Sequence, residues 1–275
     1  MNRFQILACD LDGTLLDSNS KISECNLAAI DELAKRGVHF VPCTGRTFDE
    51  IPREMKESGN VRYVIYSNGA AVFDKETGGR MLDCISADTA AKVFDILGRF
   101  EAHLTVRYKG KSCIDADIPL EKAGVYYNFW EGRVEMLKTY STLIPDFNVW
   151  KYKIDNIEVI SVFFHDADEQ EECVRLLSKI KELRIVSACD YNFEIFSITA
   201  GKGNALYKLA DTLGIDYKET AAVGDSGNDM SVIEAAGIGF AVENATEALK
   251  KISDEIICSN DEHAIDYILK NCLEK

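Results

Sequence analysis

Long apolar runs are missing from this chain of 275 residues. No window approaches the roughly 18 uninterrupted apolar residues of a membrane helix, so no span is expected. The N-terminus lacks a basic region followed by an apolar stretch, and no signal peptide is expected. Basic charge is scarce as well: 31 Lys and Arg face 46 Asp and Glu, for a net charge of −15. That balance argues against a surface built to neutralise nucleic-acid phosphates or to dock on anionic lipid. The nine cysteines, at 9, 25, 43, 84, 113, 173, 189, 258 and 272, lack CxxC spacing and any zinc pattern. They read as reduced, mostly buried thiols of a cytoplasmic protein. Low-complexity segments and a GxxxxGK[ST] phosphate loop are also absent.

What is present is a soluble globular composition, 47% hydrophobic and 28% charged, long enough for one large domain or two. Segments 4–9, 38–43 and 63–66 read as buried strands, and 23–36 and 47–58 as helices, although Pro52 weakens the second. This βαβαβ order predicts a parallel sheet with right-handed crossovers. The same grammar returns late: helices over 204–213, 230–236, 246–252 and 263–272 alternate with strands at 220–223, 238–242 and 255–258. The middle differs. Helices over 88–101, 132–143 and 168–183 accompany strands at 103–108 and 157–164, with a hairpin of 185–188 and 193–197 around "CDYN". The expected fold class is α/β, a Rossmann-like parallel-sheet core interrupted by an α+β insert. The expected division is residues 1–83 and 198–275 for the core and 84–197 for the insert.

Each core strand ends in a polar cluster: Asp10 and Asp12; Thr44, Gly45 and Arg46; Ser67, Asn68 and Gly69; and "GDSGND" with Asp225, Asn228 and Asp229. Open parallel sheets bind ligands beyond the carboxyl ends of their strands. Clusters more than 200 residues apart are therefore expected to converge. Asp10, Asp12, Asp225 and Asp229 would then crowd four carboxylates, whose repulsion a hard divalent cation relieves. Lys202 adds positive charge, and Thr44, Asn228 and the backbone N–H groups near Gly13 and Gly45 offer neutral donors. Together they form a workable phosphoryl-transfer site. In extended backbone Asp10 and Asp12 point to one side yet meet different environments. Asp10, on the metal, stays ionised and nucleophilic, while Asp12 carries a proton for the leaving oxygen.

Taken alone, "DLDG" is also a good hairpin turn. That reading makes Thr14–Leu16 a second paired strand and gives the other clusters no role. Arg46 and Asn68 are open between contacting substrate and bracing their loops. The aromatics of 124–132 and the basic residues of 107–112 are open between facing a substrate and ordinary packing or a solvated hairpin tip. The four histidines (39, 103, 165 and 263) read as non-ligands.

Taken together, "DLDGT", Thr44 in "CTGR", Lys202 in "GKGNAL" and "GDSGND" resemble, in order, the four motifs of the haloacid dehalogenase (HAD) superfamily. The insert of about a hundred residues between "SNGA" and "GKGNAL" resembles the Cof-type branch with a type IIB cap. "FAVENATEALKKISDEI" and "SND" carry the same flavour, whereas His263 stands where relatives commonly have glycine. The resemblance implies that Asp10 attacks phosphorus, giving an aspartyl-phosphate. Asp12 would protonate the leaving alcohol and then activate water. Mg2+ would be held by the Asp10 carboxylate, the Asp12 backbone carbonyl and Asp225, with Asp229 in its first or second shell. Thr44, Gly45, Lys202, Asn228 and the Leu11 backbone would hold the phosphoryl oxygens, with Arg46 a further candidate. The implied activity is a phosphatase of sugar phosphates or similar small metabolites, with the cap selecting the leaving group. The partner is then a small phosphorylated metabolite, with no nucleic acid and no membrane, on a monomer or weak homo-oligomer. A phosphosugar mutase with the same site is the near alternative. A non-catalytic phosphometabolite sensor is the distant one, although mere binding needs no acid/base beside the nucleophile. A dehalogenase would leave the second aspartate and the metal cluster superfluous.

Overall fold

The computed structural model describes residues 2–129, 132–189 and 191–274. The chain divides into two compact units. One comprises Met1–Arg46, Ile51–Met81 and Gly201–Lys275, and the other Thr47–Glu50 and Leu82–Ala200.

The first unit opens with β1 (Ile6–Cys9), α1 (Glu24–Lys35), β2 (His39–Pro42) and α2 (Arg53–Glu57). Next come β3 (Tyr63–Tyr66), β4 (Ala71–Asp74) and β5 (Arg80–Leu82). The insert supplies α3 (Ala87–Leu97), β6 (Ala102–Tyr108), β7 (Lys111–Asp115), α4 (Leu120–Tyr126) and α5 (Arg133–Tyr140). It continues with β8 (Ser141–Ile144), α6 (Phe147–Trp150), β9 (Val159–Phe164), α7 (Ala167–Leu177), β10 (Leu183–Cys189) and β11 (Asn192–Ser197). The chain then forms α8 (Lys202–Leu213), β12 (Thr220–Gly224), α9 (Met230–Ala235) and β13 (Ile238–Ala241). It finishes with α10 (Glu247–Ile252), β14 (Glu255–Ile256) and α11 (Ala264–Asn271).

In the first unit a five-stranded parallel sheet runs β14-β13-β12-β1-β2. Every side chain of β1 and β12 is buried, as parallel strands covered on both faces require. Ile6–Cys9 lies in register with Thr220–Val223 on one side and with His39–Pro42 on the other. The segments after Cys9, Pro42 and Gly224 therefore leave the same edge side by side. Helix α1 starts where the Ser23 side chain accepts from the Asn26 N–H, satisfying a donor that the first turn leaves open.

Two expectations change here. Residues 63–66 do form a strand, but β3 pairs antiparallel with β4 in a separate sheet, β3-β4-β5. Its link to β2 is a single parallel bridge, Cys43 with Ile65. Pro42 has no N–H to extend that ladder. Ser67, Asn68 and Gly69, at φ of 49°, 53° and 84°, turn the chain straight back into β4. The helix expected over 47–58 shrinks to Arg53–Glu57, because Pro52 fixes its start and Thr47–Glu50 belong to the second unit.

The second unit is α+β: a sheet of order β10-β11-β9-β6-β7-β8, antiparallel except for the β7–β8 pair. Val106, Ile160, Val162, Phe164, Phe193 and Ile195 bury one face against Phe94 and Leu97 of α3 and Cys173 and Leu177 of α7. The opposite face mixes Val159, Phe163 and Phe196 with polar side chains. There Arg107 Nη2 and Ser161 Oγ both donate to Glu194 Oε1, each at 2.9 Å. The helix expected over 168–183 ends at Leu177. That expected over 132–143 ends at Tyr140, because Ser141–Ile144 is drawn into the sheet beside β7.

The tip of 107–112 is a two-residue turn, with Lys109 and Gly110 at φ of 53° and 79° between Tyr108 and Lys111. Tyr127 and Phe129 pack on the His103 ring at 5.9 and 5.1 Å. Trp130 and Glu131 of the 124–132 aromatic segment, and Asp190 of the "CDYN" turn, lie outside the described residues. Among the described residues, eight cysteines are free, and no helix is long and apolar enough to cross a membrane.

Candidate active site

β1 runs directly into Asp10, whose N–H donates to the Val223 carbonyl at 3.0 Å. The chain does not continue as a hairpin. Instead Leu15 N–H and Leu16 N–H return to the carbonyls of Asp10 and Leu11, at 3.3 and 2.8 Å. This tight loop needs Gly13 at φ +69°, where a side chain would be strained, and a Cβ there would lie 2.7 Å from Asp225 Oδ2. The glycine thus lets the Asp12 loop close against the Asp225 loop.

Lys202 sits in the first turn of α8, 1% exposed. Its Nζ donates to Asp10 Oδ1 at 2.7 Å and to Asp229 Oδ1 at 2.6 Å. Burial works against its charge, but the two aspartates outweigh it and hold the amine firmly protonated. Asp229 is fully buried, and its other oxygen accepts from the N–H groups of Asp225 and Ser226 at 3.0 and 3.1 Å. Both Asp229 oxygens are therefore occupied with bracing the loop and the lysine. Burial pushes the Asp10 carboxyl up to about 7 against the pull of Lys202, with Asp229 adding to the rise. The Leu11 N–H faces that same carboxylate. Burial, with Asp229 next, lifts Asp225 to about 6.

Asp10, Asp225 and Asp229 offer carboxylate oxygens within 4.8 Å of one another. The decisive atom is Asp225 Oδ1, buried and without a hydrogen-bond partner. An orphaned carboxylate oxygen beside two further carboxylates is costly unless a cation completes it. The residues therefore fit a hard divalent ion with oxygen ligands.

Asp12 turns the other way. Its side chain is 58% exposed, and both its oxygens are held by Arg46, from Nε at 2.9 Å and Nη2 at 2.6 Å. Thr44 follows β2, buried, with its N–H on the Ile65 carbonyl and its Oγ1 accepting from the Arg46 N–H. A Cβ on Gly45 would lie 2.9 Å from Asn68 Oδ1, and Asn228 Nδ2 reaches that same oxygen at 3.4 Å. The structure thus gathers Asp10, Lys202, Asp225 and Asp229 tightly and sets Asp12 with Arg46 beside them. Thr44, Gly45, Asn68 and Asn228 form a second linked group. Two residues to which the sequence assigned no role also reach the site loop: Asn244 donates to the Gly13 carbonyl at 2.8 Å and Asn260 to the Leu16 carbonyl at 2.9 Å.

A family model of haloacid dehalogenase-like hydrolases matches residues 7–269. The chain belongs to that family. Within it the chain is an enzyme of the Cof-type phosphatase branch. It is 30% identical to phosphatase YwpJ of Bacillus subtilis, over 98% of this chain and all of that protein. It is 31% identical to the B. subtilis protein YwtE, a 5-amino-6-(5-phospho-D-ribitylamino)uracil phosphatase, over 97% of each. Among solved structures, a haloacid dehalogenase-like hydrolase from B. subtilis superposes with TM-score 0.79 at 28% identity. That match covers 98% of this chain and 100% of the other.

Proposed function

We propose that this HAD enzyme is a Mg2+-dependent phosphatase that hydrolyses small phosphorylated metabolites through an aspartyl-phosphate on Asp10. The observation that carries the reading is the buried triad in which Lys202 bridges Asp10 and Asp229 beside the orphaned Asp225 oxygen. It supports a site built to hold a nucleophile, a cation and an anion together.

Lys202 fixes the Asp10 carboxylate and offsets the charge of an arriving phosphoryl group. A carboxylate oxygen of Asp10 attacks phosphorus, and the bond from phosphorus to the leaving oxygen breaks. Asp12 delivers its proton to that oxygen, and the alcohol departs. Asp12 then takes a proton from water as the water attacks phosphorus, and the bond to Asp10 breaks to release phosphate. Thr44, Gly45, Asn228 and the Leu11 N–H hold the phosphoryl oxygens. The Asp10 and Asp225 carboxylates and the Asp12 carbonyl would hold Mg2+, with Asp229 bracing them. When bound, the ion neutralises the crowded carboxylates and polarises the phosphoryl oxygens.

The substrate class is a sugar phosphate or a similar small ester. The likeness to YwtE makes a phosphorylated polyol such as 5-amino-6-(5-phospho-D-ribitylamino)uracil a first member to test. The experiment is phosphate release across sugar, nucleotide and cofactor phosphates, with Mg2+ and with EDTA. Turnover with Mg2+, its loss in EDTA and a raised Mg2+ requirement in Asp225→Ala are expected. Turnover indifferent to EDTA would refute the metal assignment.

A further inference from the structure

The turn of the loop carrying Asp12 is held at the Gly13 carbonyl by Asn244, in the segment after β13. Its Nδ2 donates to the Gly13 carbonyl at 2.8 Å, and its Oδ1 accepts from the Asn260 N–H at 3.0 Å. A carbonyl must receive and a backbone N–H must give, so one orientation of the amide serves both partners. Asn260 in turn donates to the Leu16 carbonyl, at the far end of the same loop.

The same segment reaches the neighbouring catalytic loop. The Thr246 N–H donates to the Asp225 carbonyl at 2.8 Å. Residues 244–246 therefore tie the Asp12–Gly13 turn to the Asp225 loop, at the point where Gly13 and Asp225 press together. Any residue at 246 offers a backbone N–H, whereas the bond to Gly13 needs this particular side chain. Asn244 is exposed, and a hydrogen bond at the surface adds little to stability. Its contribution lies in the orientation of the Gly13–Thr14 peptide, one residue beyond Asp12 in the same tight turn.

We propose that Asn244 is a positioning residue for the proton carrier Asp12, acting through the Gly13 carbonyl. This rests on the reading of Asp12 as the group that protonates the leaving oxygen. Proton delivery matters most when the leaving alcohol is a poor one, and a displaced carrier loses reach before it loses its proton.

The test compares wild type, Asn244→Ala and Asn244→Asp on an alkyl phosphate and on 4-nitrophenyl phosphate, whose leaving group needs little proton help. Asn244→Asp keeps the bond from Asn260 but has no N–H for Gly13, so a nearly isosteric variant covers the case in which alanine disturbs folding. Wild-type turnover of both esters checks the phosphatase reading separately; its absence would overturn that reading and the inference built on it. In both variants kcat/KM, which reports the step in which the alcohol departs, should fall roughly tenfold or more on the alkyl ester and roughly threefold or less on the nitrophenyl ester. Hydrogen–deuterium exchange in a peptide covering residues 11–17 should quicken while the rest of the chain keeps its wild-type rates. An unchanged ratio of the two kcat/KM values, or unchanged exchange in that peptide, would overturn the proposal.

Discussion

Arg46 grips Asp12 by both carboxylate oxygens, Nε on Oδ2 at 2.9 Å and Nη2 on Oδ1 at 2.6 Å. A carboxylate bound in this two-point fork has neither oxygen free to carry a proton outward. In the proposed reaction Arg46 must release at least one oxygen, and an arriving phosphate is the natural competitor for the guanidinium. The two open alternatives for Arg46, bracing the loop or contacting substrate, then become successive states of one side chain.

Arg46→Lys keeps the charge but cannot form the fork, and Arg46→Ala removes both. Each variant should lower kcat by about tenfold or more, with alanine the worse. Stability should change by no more than about 1 kcal/mol, because both partners are substantially solvent-exposed. Steady-state kinetics with urea denaturation reads the two effects separately.

Lys202 behaves in the opposite way. It is buried between Asp10 and Asp229, themselves 4% and 0% exposed. Lys202→Met would leave two buried carboxylates without their cation, a loss of about 3–5 kcal/mol in folding stability. Urea denaturation in EDTA checks this without interference from bound metal. Adding Asp229→Asn to Lys202→Met should recover part of the loss by removing one of the stranded charges.

His103 governs acid stability. It is 1% exposed, its two ring nitrogens have no hydrogen-bond partner, and it lies beside Arg133, Tyr127 and Phe129. Burial first, and the Arg133 charge second, hold its proton affinity down to about 3 from the ordinary 6.5. The unfolded chain thus takes up a proton that the folded chain refuses. Its stabilising contribution is complete above pH 6.5 and is lost progressively as pH falls toward 3. At pH 4.5 the loss should reach about 2–3 kcal/mol. His103→Leu should flatten that part of the stability–pH curve, and an equally steep wild-type-like slope in the variant would contradict the assignment.

The core was legible because its signals are local and repeated: an apolar strand running into a polar cluster, four times over. Asp10, Asp225 and Asp229 were legible as strand ends of one sheet, and Lys202 through its charge and the family resemblance. Pair geometry was not legible. That Asp12 faces Arg46, and that both Asp229 oxygens are already used, depends on side-chain directions fixed by distant loops. The departure of β3 from the parallel sheet follows from Pro42 and the positive-φ Ser67–Gly69 turn, features too local to announce a change of sheet. In the insert, β7, β8 and α4 escaped notice because "KSCID" and "STLI" are short, and alternation over four or five residues is a weak signal.

The central claim, a covalent phosphoryl group on Asp10, is tested most directly by acid-quenching the enzyme during turnover of a 32P-phosphoryl-labelled ester and counting label retained on denatured protein. The account predicts label that hydroxylamine removes, as it does acyl phosphates, and none on folded Asp10→Asn, which should also be inactive. Full turnover by Asp10→Asn, or equal labelling of that variant, would contradict it.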